Sequence, residues 1–472
     1  MSIWSKVKGW LSGMVRYDTE IKREFGVKNI TDDAMTDIVE RCFQVYQGKP
    51  YWMDEEIHTV NFAKTVCSEV ARLATMNIEV NVDGSPRAKW LDEQAKKAQK
   101  QTRHWVEYGN AYGTLYFKPN GKGIDVITPS RTIVTETDGD EITGIVFTDM
   151  QYVSEEDRWY TRLEYHHIEN GRYTIANRCY WSENKATLSH RIGIENTPWK
   201  GLAEDTTVEN VEHLLFGVYK TPQGNNIDPF SPLGLPLYAD AMEELKDLDI
   251  AYSRNSKEIF DSKRTVLLDS DRLMVAGSKI GQQNQDLVVK QKGLPDYVKM
   301  VEGTGEGDIY HEINPTLSTD IRLKGLDAYL SQIGYKCGFS NGYFVFNEHT
   351  GMVTATQVES DDRRTLQLIN DVRDSIKNMY DGLLYALDKF ADAYGLAPRG
   401  TYEVTYDFED LTLNEDEDRA RWYSYVSAGQ VPFWYYLVKH EGFTEEEAKE
   451  LAQQSQQEQL NQMALLGAFN AE

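Results

Sequence analysis

The stretch "LQLINDVRDSIKNMYDGLLYALDKF", residues 366–390, carries the strongest structural signal in the chain. Its apolar residues recur at steps of three and four, the spacing that places side chains on one face of an α-helix. Gly395 and Pro398 follow, and both residue types commonly end helices. The pattern predicts a helix over residues 354–395, about 60 Å long at 1.5 Å per residue, with Gly382 as a candidate bend. The stripe consists of Leu366, Ile369, Val372, Ile376, Met379, Leu383, Leu387 and Phe390.

Two shorter helices are predicted upstream, on either side of a β-rich segment. Residues 237–260 and residues 319–338 both show helical spacing, and the first follows a connector rich in Pro, Gly and Asn over residues 220–236. Residues 261–318 contain β-branched runs between Gly- and Gln-rich turns. The first helix is expected to bury a stripe of Leu237, Ala241, Leu245, Leu248, Tyr252 and Ile259.

The remaining segments predict a mixed, α+β fold. The first 110 residues are mostly helical in pattern, residues 111–181 alternate as an antiparallel meander, and "TYEVTYDFEDL" predicts a strand after the long helix. The last fifty residues are helical again. Residues 1–14 have an amphipathic pattern, which suits an arm packed on a partner better than a helix lying on a membrane surface.

Composition excludes several classes of protein. Of 472 residues, 75 are acidic and 50 basic, giving a formal charge of −25, so tight binding to nucleic acid phosphates is not expected. The sequence has no apolar run long enough for a membrane span and no secretory signal pattern, and we expect an intracellular protein. The four cysteines are widely separated, which favours reduced, buried thiols.

Catalytic and cofactor motifs are weak throughout. No pattern typical of a nucleotide loop, a zinc site or a serine nucleophile is present, so neither an enzyme nor a cofactor or metal site is expected. His166 and His167 are adjacent in a predicted strand and should therefore face opposite sides of a sheet, one in the core and one at the surface.

The order of these parts resembles the portal proteins of tailed, double-stranded-DNA bacteriophages, of the siphovirus type. The similarity is most specific in "YGNAYGTLYFKPNG" with "IDVITPSRTIVTE", in "NNIDPFSPLGLPLYADAMEELKDLD", and in "GMVTATQVES" before the long helix. A weaker similarity lies in "VSAGQVPFWYYLVKHEGFTEEEAKEL".

The resemblance implies a portal-type architecture made of named parts. Residues 1–236 would form an N-terminal arm and an α/β wing, and residues 237–260 and 319–338 the two stem helices. Residues 261–318 would form a small β-rich clip, residues 339–353 a tunnel loop, and residues 354–395 the spine helix. Residues 396–418 would return a strand to the wing, and residues 419–472 would form a helical crown.

The resemblance also implies a function and partners. Family members form a ring, usually of twelve copies, at one capsid vertex of the virion, after assembly in the host cytoplasm. Double-stranded DNA passes through the ring without sequence-specific contacts during packaging and ejection. Terminase, capsid or scaffold protein and head-completion or adaptor proteins dock on it. No membrane and no cofactor are involved.

The tunnel loop "FSNGYFVFNEHTGMV" offers aromatic bulk and hydrogen-bonding groups with little positive charge. Such a loop can touch DNA without gripping its phosphates. The alternative is that its aromatic residues are buried between subunits. The candidate contact residues are Asn341, Tyr343, Phe344, Phe346, Asn347 and His349.

Two other functions compete with the portal hypothesis. One is a different structural part of a virion, such as a connector or baseplate component. The other is a carbohydrate-active enzyme, whose aromatic residues would stack on sugars and whose carboxylates would act as acid and base. Long helices of 20 to 40 residues favour a conduit or scaffold over an enzyme cleft.

Overall fold

The computed structural model describes residues 17–121, 123–139, 141–185, 187–262, 265–269, 298–301, 310–313, 319–345, 355–408 and 415–454. The amphipathic pattern of residues 1–14 lies outside these ranges. The chain divides into two compact units, residues 1–408 and residues 409–472. The fold is mixed helix and sheet, as the sequence predicts.

Eight described helices belong to the first unit. They are α1 (residues 17–25), α2 (Asp33–Tyr46), α3 (Phe62–Ala74), α4 (Pro86–Gln99), α5 (Thr102–Tyr112), α6 (Met242–Asp261), α7 (Thr319–Lys336) and α8 (Ala355–Tyr394). The prediction of one long helix is confirmed by α8. Helix α6 begins at Met242 and not at residue 237, because the preceding backbone turns against α5, where the Leu237 N–H donates to the Asn110 carbonyl at 2.9 Å.

The described strands of the first unit form four sheets. They are β1 (Glu79–Asp83), β2 (Thr114–Pro119), β3 (Ile124–Ile127), β4 (Thr132–Asp138), β5 (Glu141–Val153), β6 (Arg158–Glu169), β7 (Arg172–Ser182), β8 (His190–Ile192), β9 (Asp205–Glu209), β10 (Gly217–Lys220), β11 (Thr265–Asp269), β12 (Val298–Val301), β13 (Tyr310–Ile313) and β14 (Glu403–Asp407). Strands β4 to β8 form an antiparallel meander, with β9 also paired to β7. The prediction of a meander over residues 111–181 is confirmed for β4 to β7 and is wrong for β2 and β3, because β2 pairs with β10, far along the chain, in a separate sheet. The other sheets have the orders β10-β2-β3, β12-β11-β13 and β1-β14.

The meander has an apolar core on each face because its side chains alternate. Val134, Ile145 and Phe147 face a core shared with α2 and β10. Val146 and Leu163 face the opposite core, which α1 closes with Tyr17 and Ile21. Burial on both faces fixes the register of the strands, since a slip of one residue would exchange the two sets of side chains.

Helix α8 packs against β10 at a contact between two glycines. A Cβ atom on Gly382 would lie 3.1 Å from the Gly217 Cα, and a Cβ on Gly217 would lie 2.3 Å from the Met379 carbonyl oxygen. The predicted stripe faces this contact: Ile369, Val372, Ile376 and Met379 are fully buried. Gly382 therefore permits the close approach of helix and sheet.

Helices α6 and α7 run antiparallel, and the strands β11, β12 and β13 lie between them in the sequence. Ion pairs join Lys336 to Glu244 at 2.6 Å and Arg322 to Glu258. The predicted stripe of α6 is buried only in its first part. Leu245 and Leu248 are buried, whereas Tyr252 is 44% and Ile259 51% exposed.

A buried charged cluster lies where β2 packs on the meander. Glu164 accepts hydrogen bonds from Lys118 and from His166 Nε2 at 3.0 Å, and it forms an ion pair with Arg162 at 3.0 Å. The Tyr173 hydroxyl donates to His166 Nδ1 at 2.5 Å. His166 is the core histidine of the predicted pair, 2% exposed, while the side chain of His167 is 25% exposed.

The cluster makes the fold sensitive to acid. Burial lowers the pKa of His166, so this group binds its proton more readily in the unfolded chain. Burial alone would raise the pKa of Glu164, but Lys118, His166 and Arg162 hold it well below its ordinary value. Both groups therefore stabilise the fold at neutral pH. The His166 contribution is lost as pH falls below about 6.5, and the Glu164 contribution as pH falls below about 4.3.

We expect the free energy of unfolding to decrease between pH 7.5 and 5.5, with a slope of at most about 1.4 kcal/mol per pH unit from His166. Urea unfolding at several pH values measures this slope. His166→Gln should flatten it, and His104→Gln, at an exposed position of α5, should not. If the slope of His166→Gln equalled that of the unchanged chain, the assignment of the pH dependence to His166 would be contradicted.

The second unit contains three described helices, α9 (Glu415–Ser427), α10 (Phe433–Glu441) and α11 (residues 445–454). Aromatic contacts join the first two, with Trp422 and Tyr435 centroids 5.6 Å apart. Lys439 lies 3.9 Å from the centre of the Trp422 ring. Thr444 and Glu447 form a reciprocal capping box at the start of α11.

Candidate functional site: the base of the loop between α7 and α8

The described part of the predicted tunnel loop, residues 339–345, begins at a well-defined helix end. Gly338 has φ +96°, and its N–H donates to the Tyr335 carbonyl at 3.1 Å. The Phe339 N–H donates to the Gly334 carbonyl at 2.9 Å. These two bonds form a Schellman motif, which ends α7 and turns the chain.

The loop is next bonded to the helix that follows it. The Ser340 N–H donates to Thr365 Oγ1 at 2.9 Å, and the Thr365 N–H donates to Ser340 Oγ at 3.3 Å. Both residues are buried. This reciprocal pair fixes the start of the loop to α8 because each hydroxyl also satisfies a buried backbone N–H of the other residue.

A second set of bonds returns the loop to α7. Ser331 Oγ donates to Asn341 Oδ1 at 2.6 Å and accepts from the Gly342 N–H at 3.2 Å. Gly342 has φ +79°, a conformation that glycine adopts without steric cost.

Tyr343 and Phe344 pack on α3, far away in sequence. The Tyr343 hydroxyl donates to Glu69 Oε1 at 2.5 Å, and Glu69 also accepts from Arg72 at 2.7 and 2.9 Å. The Phe344 ring contacts Phe62 edge-on, with centroids 5.0 Å apart. It also lies 4.8 Å from the Phe339 ring, which is fully buried.

The electrostatics of this contact follow from its geometry. The hydrogen bond from Arg72 lowers the pKa of Glu69, with a further contribution from Tyr343, so the carboxylate remains charged at neutral pH. Burial and the bond to Glu69 raise the pKa of the Tyr343 hydroxyl, which therefore remains protonated and can donate. The contact is thus a charge-assisted hydrogen bond.

The structure places the predicted contact residues in two groups. Asn341, Tyr343 and Phe344 have partners on α7 and α3 of the same chain. Phe346, Asn347 and His349 lie outside the described residues. Sequence reasoning missed the partners on α3, Phe62 and Glu69, because nothing local marks a contact across more than 270 residues.

Neither a metal site nor a membrane span is found in the described parts of the chain. No group of three His, Cys, Asp or Glu side chains there is arranged to hold a metal ion. No described helix is long and apolar enough to cross a bilayer. The arrangement at the loop base is a mechanical anchor, with hydrogen bonds and ring contacts to three helices.

Removing the Tyr343 hydroxyl should weaken this anchor. We expect Tyr343→Phe to lower the free energy of unfolding by about 1 kcal/mol, because a partly exposed bond to a carboxylate is lost. Phe344→Ala should cost about 3 kcal/mol. Denaturant unfolding measures both. In a double-mutant cycle, Tyr343→Phe and Glu69→Gln should be non-additive, and simple additivity would show that the two side chains do not interact in solution.

The sequence is similar to that of a known protein family over most of its length. The sequence matches the family of phage portal proteins, SPP1 Gp6-like, over residues 28–460 of 472. No curated protein matches the chain. Since the match covers both units, from the helices before the meander to α11, the chain belongs to the phage portal protein family.

Proposed function

We propose that this chain assembles into a ring of about twelve copies at one vertex of a phage capsid. The ring is the conduit through which DNA enters during packaging and leaves during ejection. It carries the docking sites for terminase, for capsid or scaffold protein and for head-completion proteins. The family match over residues 28–460 is the observation that carries this proposal.

The parts of the portal are assigned by their order in the chain. Helices α6 and α7 are the stem, with the β11–β13 sheet between them as the clip. Helix α8 is the spine, the meander with its flanking helices is the wing, and the second unit is the crown. The order of described elements supports this assignment, because two antiparallel helices bracket a small sheet and precede the longest helix.

Exposed apolar side chains on the stem support self-association. Ile259 is 51% exposed at the end of α6, and Ile321 is 75% exposed at the start of α7. The Arg322–Glu258 ion pair brings these two helix ends together. Apolar side chains grouped in this way commonly mark a surface that another subunit covers.

The net charge of the chain supports a conduit that binds duplex DNA only weakly. Each chain has a formal charge of −25, and a ring multiplies this value. A surface that neutralises few phosphates releases few counterions and binds duplex DNA weakly. DNA can therefore move through the channel without adhering to it.

The loop between stem and spine is proposed to face the channel. Its first residues, 339–345, are anchored to α3, α7 and α8, and this anchor supports a defined starting direction for the remainder. The proposed DNA-facing residues are therefore Phe346, Asn347 and His349. Tyr343 and Phe344 serve as the support of the loop.

Mass measurement tests the assembly. Sedimentation and native mass spectrometry of the purified chain, at moderate and low salt, should find a species of about twelve copies. Ile259→Ser with Ile321→Ser should shift the population towards monomer. Ile30→Ser, at a 46% exposed position outside the stem, should not. A chain that stays monomeric or dimeric in every condition, including mixtures with capsid proteins, would contradict the proposal.

A further inference from the structure

Phe230 is the most exposed large apolar side chain in the described part of the chain. It lies in the connector before α6 and is 94% exposed. Nearby Ile227 is 42% exposed. Single exposed apolar residues are common on protein surfaces, but a phenyl ring held almost wholly in water on an ordered turn is not.

Hydrogen bonds hold this turn in one conformation. Asn225 Oδ1 accepts from the N–H groups of Ile227 and Asp228, at 3.0 and 2.9 Å. Asn225 Nδ2 donates to the Leu233 carbonyl at 3.1 Å. The Phe230 N–H donates to Asp228 Oδ1 at 3.2 Å. These bonds fix the backbone that carries the Phe230 ring before a partner binds, which reduces the conformational entropy lost on binding.

A cleft with aromatic walls lies elsewhere on the same unit. It has a volume of about 460 Å³ and is lined by Trp90, Trp105 and Phe390, with Gln94 and Lys97 among its polar residues. A cavity of about 150 Å³ is already sufficient for benzene. The cleft can therefore take a phenyl ring and part of its turn, and aromatic walls suit edge-on contacts with that ring.

Phe230 cannot reach the cleft of its own chain. The connector is bonded to the C-terminal end of α5 and the start of β2, through Leu237 N–H to the Asn110 carbonyl and Gly234 N–H to Thr114 Oγ1. The cleft lies at the other ends of both elements, at Gln101 and Pro119. Each element is about 16 to 20 Å long.

The two segments that carry the turn and part of the cleft have opposite net charge. Residues 222–248, which contain Phe230, include five acidic residues and one basic residue. Residues 89–103, which include Trp90, Gln94 and Lys97 of the cleft lining, contain five basic residues and two acidic ones, and Lys97 is the basic residue of this segment that lines the cleft. In a chain of charge −25, this basic segment is a local exception. It can attract the acidic segment of another copy while most of the surface repels it.

We infer that Phe230 anchors each copy of the chain to the next, with its ring in the neighbouring copy's Trp90, Trp105 and Phe390 cleft. Asp228 of the same turn then lies towards Lys97 of the neighbour. Because the anchor and the cleft are different surfaces, the contact is head-to-tail, and such contacts generate closed rings when the rotation permits. The inference rests on the proposed ring and names one of its contacts.

Crosslinking tests the contact directly. The four native cysteines are buried, so Ile227→Cys on the turn and Gln94→Cys in the cleft supply the reactive thiols and leave Phe230 in place. A short bis-maleimide should convert the double variant into a ladder of covalent oligomers up to the ring. A mixture of the two single variants should give covalent dimers only. Leu202→Cys with Gln94→Cys is the matched control and should give no ladder.

Assembly measurements complete the test. Phe230→Ala should raise the concentration for half-assembly at least tenfold, as for a central interface residue, and Leu202→Ala, at a 44% exposed position, less than twofold. Rings without crosslinks, or equal effects of the two alanine variants, would overturn the inference about Phe230. The proposal that the chain forms a ring would still stand. A wild-type chain that neither assembles nor crosslinks would overturn both proposals.

Discussion

Arg87→Ala is expected to lower the free energy of unfolding by about 3 kcal/mol, the largest loss that we predict for one ionic side chain. Arg87 is 1% exposed and donates to the carboxylates of Asp388 at 2.8 Å and Asp392 at 2.6 Å. It also donates to the carbonyls of Asp388, Ala397 and Pro398. These acceptors lie at the C-terminal end of α8 and the turn after it, where a positive charge also complements the helix dipole.

The matched control for this prediction is Arg399→Ala. Arg399 pairs with the same Asp392 at 3.2 Å, but its side chain is 85% exposed, so its removal should cost less than about 0.5 kcal/mol. Arg87→Lys should lower the free energy of unfolding by an amount between those of Arg399→Ala and Arg87→Ala, since an ammonium group cannot reach all five acceptors. Equal stabilities of Arg87→Ala and Arg399→Ala by denaturant unfolding would contradict the role given to Arg87.

Gly217→Ala is expected to destabilise the first unit by about 3 kcal/mol, the upper part of the range for overpacking. The new Cβ atom would lie 2.3 Å from the Met379 carbonyl oxygen and 3.1 Å from the Leu383 Cβ. Neither neighbour is the end of a flexible side chain, so α8 must move away from β10. That movement would open the core beneath the buried stripe of α8.

The control for the glycine contact is Gly224→Ala, where nothing lies within 4 Å of the new Cβ. Its thermal unfolding should match that of the unchanged chain within about 0.5 kcal/mol. Gly382→Ala should fall between the two, because its Cβ would lie 3.1 Å from the Gly217 Cα. If Gly217→Ala were as stable as Gly224→Ala, the close packing of α8 on β10 would be wrong.

The local elements could be predicted from the sequence because their signals are local. The helix predicted over residues 354–395 is observed as Ala355–Tyr394, since its buried residues recur every three or four positions. The helix predicted over residues 319–338 is observed as Thr319–Lys336. Alternating side chains likewise predicted strands β4 to β7 of the meander, but they could not show that β2 and β3 join β10 in a separate sheet.

Contacts distant in sequence could not be predicted in this way. Strand β1 pairs with β14, which places Val80 opposite Tyr406. Arg87 follows Pro86 at the start of α4, and its sequence context suggests only a surface charge. Its acceptors are about 300 residues away, and burial of a charge depends on all of them together.

The candidate site was likewise predicted only in part. The composition of residues 339–353 predicted a loop of aromatic and hydrogen-bonding residues between two helices. It could not indicate that Tyr343 and Phe344 contact α3, because Glu69 and Phe62 resemble ordinary helix residues in the sequence. The exposed residues Tyr252 and Ile259 continue the apolar stripe of α6 beyond the part that the single chain buries.

A reconstruction of the purified assembly by cryo-electron microscopy tests the central claim most directly. The proposed function predicts a closed ring of about twelve copies around an axial channel wide enough for duplex DNA. The α6–α7 pair should form its stem, and residues following Val345 should face the channel. A closed assembly without an axial opening, or a ring whose channel is too narrow for duplex DNA and is lined by other segments, would contradict the claim that this chain is a DNA conduit.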